Sequence, residues 1–240
     1  IDLTPIQSWF FTNQFTGMHQ WNQAVMLHRE KGFDQEAVAL AFQKIVEHHD
    51  ALRMVYKRQN NKIIQWNRGI ENHLFDLYRF DLEEEINVDN KILELANEIQ
   101  SSIDLTEGPL VKVAIFQTGT GDYLLIVIHH LVIDGVSWRI LFEDFSTAYS
   151  QALLHQDITL PDKTDSVKDW AIQMQKYANS ETIIKEMEYW ENLEKTAKMT
   201  MLPRDFNEVE NTQKNTHLLK TELTSEQTEN LLRNVNHAFL

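Results

Sequence analysis

The sequence predicts an α/β fold of the α+β sandwich kind, and three observations predict it. Two apolar runs, LVKVAIFQ at 110–117 and YLLIVIHH at 123–130, have the length and branching of buried strands. Several other stretches, among them 34–49 and 88–101, place apolar residues at helical spacing. The third is the junction His129–Trp138, where a strand ends in a turn that opens a helix. Strand ends of this kind are where α/β folds place their chemistry.

In chain order, residues 1–20 combine Pro5 with the apolar cluster Trp9, Phe10 and Phe11, which suggests a short helix and a loop. WNQAVMLH alternates loosely and reads as a strand. Asp34 is a plausible N-cap for a helix whose face is Val38, Ala41, Phe42, Ile45 and Val46. LRMVYKR and KIIQWN flank Gln59-Asn60-Asn61 as a hairpin, and a short strand follows near LFDLYRF. Val88 to Ser101 is helical, with Ile92, Leu93, Ala96 and Ile99 inward, until Glu107-Gly108-Pro109 breaks the pattern. The two apolar strands are joined by Thr118-Gly119-Thr120-Gly121-Asp122, a tight antiparallel turn. A helix then runs to about Leu154, and Pro161–Asp165 is a loop. Helices at 166–179 and 181–197 carry Trp170, Tyr177, Tyr189 and Trp190, expected to be core. After a connector from Leu202, THLLKTEL reads as a strand and Thr224 with Gln227 as the capping box of a last helix. That helix has an apolar stripe (Leu231, Leu232, Val235, Phe239) reaching almost to Leu240, so the sequence reads as a piece of a longer polypeptide.

At 240 residues and 42% hydrophobic, the chain suffices for one large domain or two small ones. A formal net charge of −14 argues against nucleic acid or an anionic membrane as the main partner. The absence of cysteine excludes a disulfide framework, a thiol nucleophile and a Cys-based metal site, and fits a reducing cytoplasm. No apolar run approaches the roughly 18 residues that span a bilayer, and the first residues lack the charge and apolar core of a signal peptide.

Two histidine pairs compete for a chemical role. His48-His49 lies at a helix C-terminus, where cationic side chains have an ordinary structural use. His129-His130 ends a strand, so one ring faces the core and the other the opposite side. Asp134 can orient a ring or hold the turn shut, and Gly135 permits a close approach that a side chain would block. The residues alone leave open a catalytic base or a satisfied buried histidine. A zinc site wants a third ligand that does not stand out. A Ser-His-Asp hydrolase wants a G-x-S-x-G elbow that is missing, and Ser137 is too near along the turn to be activated by His130.

HHLVIDGVSWRIL resembles the HHxxxDG signature of the condensation-type domains of nonribosomal peptide synthetases, in the form seen in epimerization domains. TPIQSWFF, WNQAV, HHDALRMVY and LPRDFN agree with the family in the same order. The resemblance implies a chloramphenicol acetyltransferase-like fold, in which two αβ lobes form a V around a tunnel. Residues 1–180 would then be the N-terminal lobe, and 181–240 a connector and the start of the C-terminal lobe.

It further implies L-to-D epimerization at Cα of an aminoacyl or peptidyl thioester. No cofactor of the chain's own is involved, because the thioester rides on the phosphopantetheine arm of a peptidyl carrier domain. By the resemblance His130 is the catalytic acid/base and His129 and Asp134 are supporting, while Gly135, Ser137 and Trp138 position the substrate. The second proton-transferring group, in the family a glutamate of the other lobe, matches no residue here. Two other readings remain beside it: a condensation domain forming a peptide bond between two carriers, for which the order Val136-Ser137-Trp138 fits poorly, and a non-catalytic module that docks a carrier.

Overall fold

Strand formation follows apolar character. In a computed structural model, described for residues 1–60, 62–71, 73–197, 203, 212 and 215–235, six strands form two sheets. They are β1 (Asn22–Arg29), β2 (Met54–Gln59), β3 (Lys62–Asn67), β4 (Asp76–Asp81), β5 (Val111–Thr118) and β6 (Gly121–His129). The larger sheet has the order β1-β6-β5-β4, with β4 and β5 parallel and the other pairs antiparallel; β2 and β3 form a separate hairpin. The central strands β5 and β6 are buried almost throughout, whereas β1 at the edge alternates between half-buried and exposed residues. Unbroken apolar runs belong to strands covered on both faces, and alternating ones to strands with a wet face.

The helices are α1 (Pro5–Thr12), α2 (Gln35–His48), α3 (Val88–Ser101), α4 (Ser137–Leu153), α5 (Val167–Ala178), α6 (Glu181–Thr196) and α7 (Ser225–Glu229). The first begins on a capping box, in which the Thr4 hydroxyl accepts from the Gln7 N–H while the Gln7 amide oxygen accepts from the Thr4 N–H. Asp34 caps α2 as expected, its carboxylate accepting from Ala37 N–H at 2.8 Å. The inner face of α2 meets α4 through Phe42 and Phe145, whose ring centroids lie 5.2 Å apart. Phe42, Ile45, Phe116, Leu124 and Ile126 are all fully buried; each such side chain contributes roughly 1.5–3 kcal/mol of transfer free energy.

The chain forms two compact units, 1–190 and 191–240. In the second, α7 starts on the expected Thr224–Gln227 capping box and passes into a wider turn at Asn230–Asn234.

Three expectations are corrected. Leu93 is exposed, and the inward positions of α3 are Leu95, Ala96 and Ile99 with Ile92 half-buried, so the apolar stripe is rotated slightly from the one expected. Trp170, Tyr177, Tyr189 and Trp190 are each more than half exposed instead of core. Their helical spacing gives a face, but no described element covers it. Thr216–Leu223 finds no ladder partner among the described residues and is not a strand. Asn61 of the hairpin turn, Leu202 and Arg204–Asn207 of the connector, and Phe239 and Leu240 lie outside the described residues.

One glycine is required by geometry. The loop joining β5 and β6 has only two residues, Gly119 and Thr120, and Gly121 then takes φ +122°. A Cβ there would lie 2.7 Å from the Arg29 carbonyl oxygen, so the hairpin passes close to the end of β1 only because the side chain is missing.

Candidate active site

The alternation of β6 separates its last two histidines. His129 is fully buried; its Nε2 donates to the Met18 carbonyl at 2.8 Å, and its Nδ1 accepts from Leu131 N–H at 3.2 Å. Those partners allow only one neutral form, with the proton on Nε2. His130 is exposed and bonded in the opposite sense, its Nδ1 donating to the Ile133 carbonyl at 2.8 Å. A carbonyl can only accept, so the proton sits on Nδ1 and the Nε2 lone pair is left for chemistry. Neighbouring histidines are thus held in opposite tautomers by the backbone around them.

Burial holds the His129 ring neutral, pushing its pKa down to about 4 although the Met18 carbonyl opposes the shift. Strand alternation foretold that the two rings face opposite sides, and the resemblance that His129 is the inward one. Neither foretold the tautomers, which depend on carbonyls supplied by the turn and by the loop before β1.

Asp134 holds the turn shut. Its Oδ1 accepts from Val136 N–H at 3.1 Å, from Ser137 N–H at 2.8 Å and from the Ser137 hydroxyl at 2.7 Å. Those bonds, the Ser137 amide first, hold its carboxyl below the usual carboxylate range. The Ser137 hydroxyl is committed to Asp134, and His130 is bonded elsewhere, so no Ser-His pair forms. Gly135 does not take a positive φ, and nothing lies within 4 Å of where its Cβ would be. Its contribution is open space beside the motif. Trp138 is buried, packs at a tilt against Phe142 with centroids 5.4 Å apart, and donates its Nε1–H to Gln23 Oε1 at 2.7 Å.

Asp134→Ala removes the acceptor for two amides at the start of α4 and is expected to cost about 1 kcal/mol of stability, read as a lower urea midpoint. Because the folded carboxyl titrates below its unfolded value, that contribution is present above the ordinary carboxylate range and fades as pH falls through the folded value. Asp134→Asn is expected to recover most of it.

A residue that sequence reasoning did not single out joins the site from β1. Gln23 pairs in register with Ile128 and reaches both His130 and Trp138. Its only sequence signal was membership of the WNQAV stretch. The competing pair lies elsewhere: His49 is the C-cap of α2 and its Nε2 lies 2.6 Å from Asp144 Oδ2 on α4. These two line a cavity of about 300 Å³ together with His48, Ser137, Ile133 and Lys163, and His130 is not among its walls. Among the described residues no cluster of three or more His, Asp or Glu is arranged to hold a metal, and no helix is long and apolar enough to cross a membrane.

A family model described as Condensation domain matches residues 1–238. The chain belongs to the condensation-domain family. It is 60% identical over 239 residues to tyrocidine synthase 2 of Brevibacillus parabrevis and 55% identical to gramicidin S synthase 1 of Brevibacillus brevis. It covers 7% and 22% of those two proteins. Among solved structures, it matches the epimerization domain from the third module of tyrocidine synthetase B with a TM-score of 0.94 and 60% identity. All of this chain and 55% of that one are covered, so the chain spans about half of the solved domain. A starter condensation domain of the rhizomide synthetase matches at TM-score 0.70 with 15% identity, a likeness of fold alone. The mixed helix-and-sheet architecture expected from the sequence is therefore that of condensation and epimerization domains.

Proposed function

We propose that the chain is the half of an epimerization domain that carries the acid/base His130, and that the domain inverts Cα of an aminoacyl or peptidyl thioester. The single observation that carries this reading is the His130 ring, exposed at the strand end with its proton held on Nδ1 by the Ile133 carbonyl. The likeness to a solved epimerization domain supports it.

In the proposed step, Nε2 takes the Cα proton. The electron pair of the broken C–H bond moves into the C–C linkage to the carbonyl, and the carbonyl π pair moves onto oxygen to give an enolate. A thioester favours this more than an amide does, because sulfur donates less into the carbonyl. The open space at Gly135 leaves room for the thioester beside the turn. An acid group of the complementary lobe gives a proton to the opposite face of Cα as the enolate electrons re-form the C–H bond, which yields the D configuration, and the His130 imidazolium releases its proton to solvent. Ser137 holds the turn for this step through Asp134, and His129 holds the strand end. The thioester reaches His130 on the phosphopantetheine arm of a peptidyl carrier domain, and the complementary lobe of the same domain supplies the facing wall.

The test is chiral analysis of a loaded carrier incubated with the complete domain in deuterated water. Deuterium at Cα and a D product support the reading. A dipeptide formed from two loaded carriers, with Cα unchanged, would instead assign the chain to condensation. Carrier binding with neither outcome would leave a docking module.

A further inference from the structure

The lone pair of His130 Nε2 does not face solvent freely. The Gln23 side-chain nitrogen lies 3.1 Å from it, and the other end of the same amide, Oε1, accepts from Trp138 Nε1–H at 2.7 Å. An indole N–H donates and never accepts, so it dictates which end of the amide it meets. The oxygen of Gln23 must face Trp138 and its NH₂ must face His130. Trp138 is itself fixed by burial and by Phe142 at the start of α4. The result is a directional chain in which Trp138 donates to Gln23, Gln23 donates to His130 Nε2, and His130 Nδ1 donates to Ile133. Every proton in the chain is placed by a group that cannot reverse its role.

We propose that Gln23 is a positioning residue for His130: locked by Trp138, its NH₂ caps Nε2, keeping that nitrogen unprotonated and the ring turned toward the substrate side until a Cα–H displaces the cap. This rests on the reading of His130 as the base, and deepens it by naming the reacting nitrogen and what readies it. It also gives Trp138 a place, behind Gln23 instead of against the substrate.

Substitutions separate the parts of this chain. Gln23→Glu keeps the shape and can still accept from Trp138, but it turns an acceptor toward Nε2. Trp138→Phe keeps the ring bulk and removes the group that forbids the amide to flip. The readout is ¹⁵N NMR of the complete domain with labelled histidine, His130 being identified by the signal lost in His130→Ala. Wild type is expected to show Nε2 unprotonated and Nδ1 protonated. Gln23→Glu is expected to protonate Nε2, and Trp138→Phe to give a mixture.

Turnover of the loaded carrier is expected to fall about 10- to 100-fold in kcat for Gln23→Glu, the range seen when a partner that orients a histidine is removed, with KM changed far less. A protonated Nε2 in wild type, or an Nε2 that stays unprotonated in both variants, would overturn the proposal. The NMR result needs no epimerization. If the tautomers follow the variants but the loaded carrier shows no exchange, the functional reading fails and the role of Gln23 stands. If exchange occurs and the tautomers do not move, the reverse holds.

Discussion

His130→Ala in the complete domain is expected to lower Cα–H exchange and epimerization of a carrier-bound thioester by about 10²–10⁴-fold, the usual contribution of a positioned general base. That loss corresponds to about 3–5 kcal/mol of activation free energy. The fold is expected to tolerate the change, because the ring is exposed and, among the described residues, it hydrogen-bonds to the Ile133 carbonyl and Gln23. Lost hydrogen bonding of that kind costs about 1 kcal/mol, so circular dichroism and the urea midpoint are expected to stay close to wild type while exchange collapses. Deuterium incorporation at Cα at the wild-type rate in a folded His130→Ala domain would remove His130 from the mechanism. The comparison with Gln23→Glu is informative, because that variant retains the imidazole and is expected to lose less.

Local rules placed most of this molecule, and they stopped where partners come from far along the chain. The two central strands were legible because burial on both faces leaves an unbroken apolar run, and α2 because Asp34 and a five-residue apolar face agree with each other. That the two histidines face opposite sides followed from strand alternation, while which of them faces inward came with the family resemblance. Gln23 was not legible as part of the site, since it is a polar residue on an edge strand. Only the antiparallel pairing of β1 with β6 carries it to His130, 107 positions away.

Lys112 was opaque for a similar reason. It interrupts an apolar run in a central strand, and the carboxylate that makes its burial tolerable, Asp76, lies directly opposite on the parallel strand β4 at 2.5 Å. Its burial would otherwise be prohibitive. The exposed aromatics of α5 and α6 failed in the other direction. Helical periodicity shows that residues share a face, and it is silent on whether anything packs against that face.

Acid is expected to destabilise the fold through His129 in a defined window. The ring is fully buried between the Met18 carbonyl and the Leu131 amide, with the Phe10 ring edge-on at 6.0 Å. Burial lowers its folded pKa to about 4, against an ordinary histidine value of about 6.5. The unfolded chain therefore binds a proton between those values that the folded chain refuses, and stability must fall as pH drops through the window. At 1.36 kcal/mol per unit, acidification from pH 7 to 4.5 is expected to cost about 2–3 kcal/mol from this group, with no contribution above neutral pH. Urea midpoints of wild type and His129→Asn at the two pH values check it. The asparagine variant starts lower, because a smaller side chain leaves a void, and is expected to lose less on acidification. Parallel losses in the two proteins would show that His129 is not the group responsible. A protonated ring also has no lone pair for the Leu131 N–H, which lies one residue beyond His130. Acid is therefore expected to loosen the strand end that presents His130, and that loosening is expected to shrink in His129→Asn.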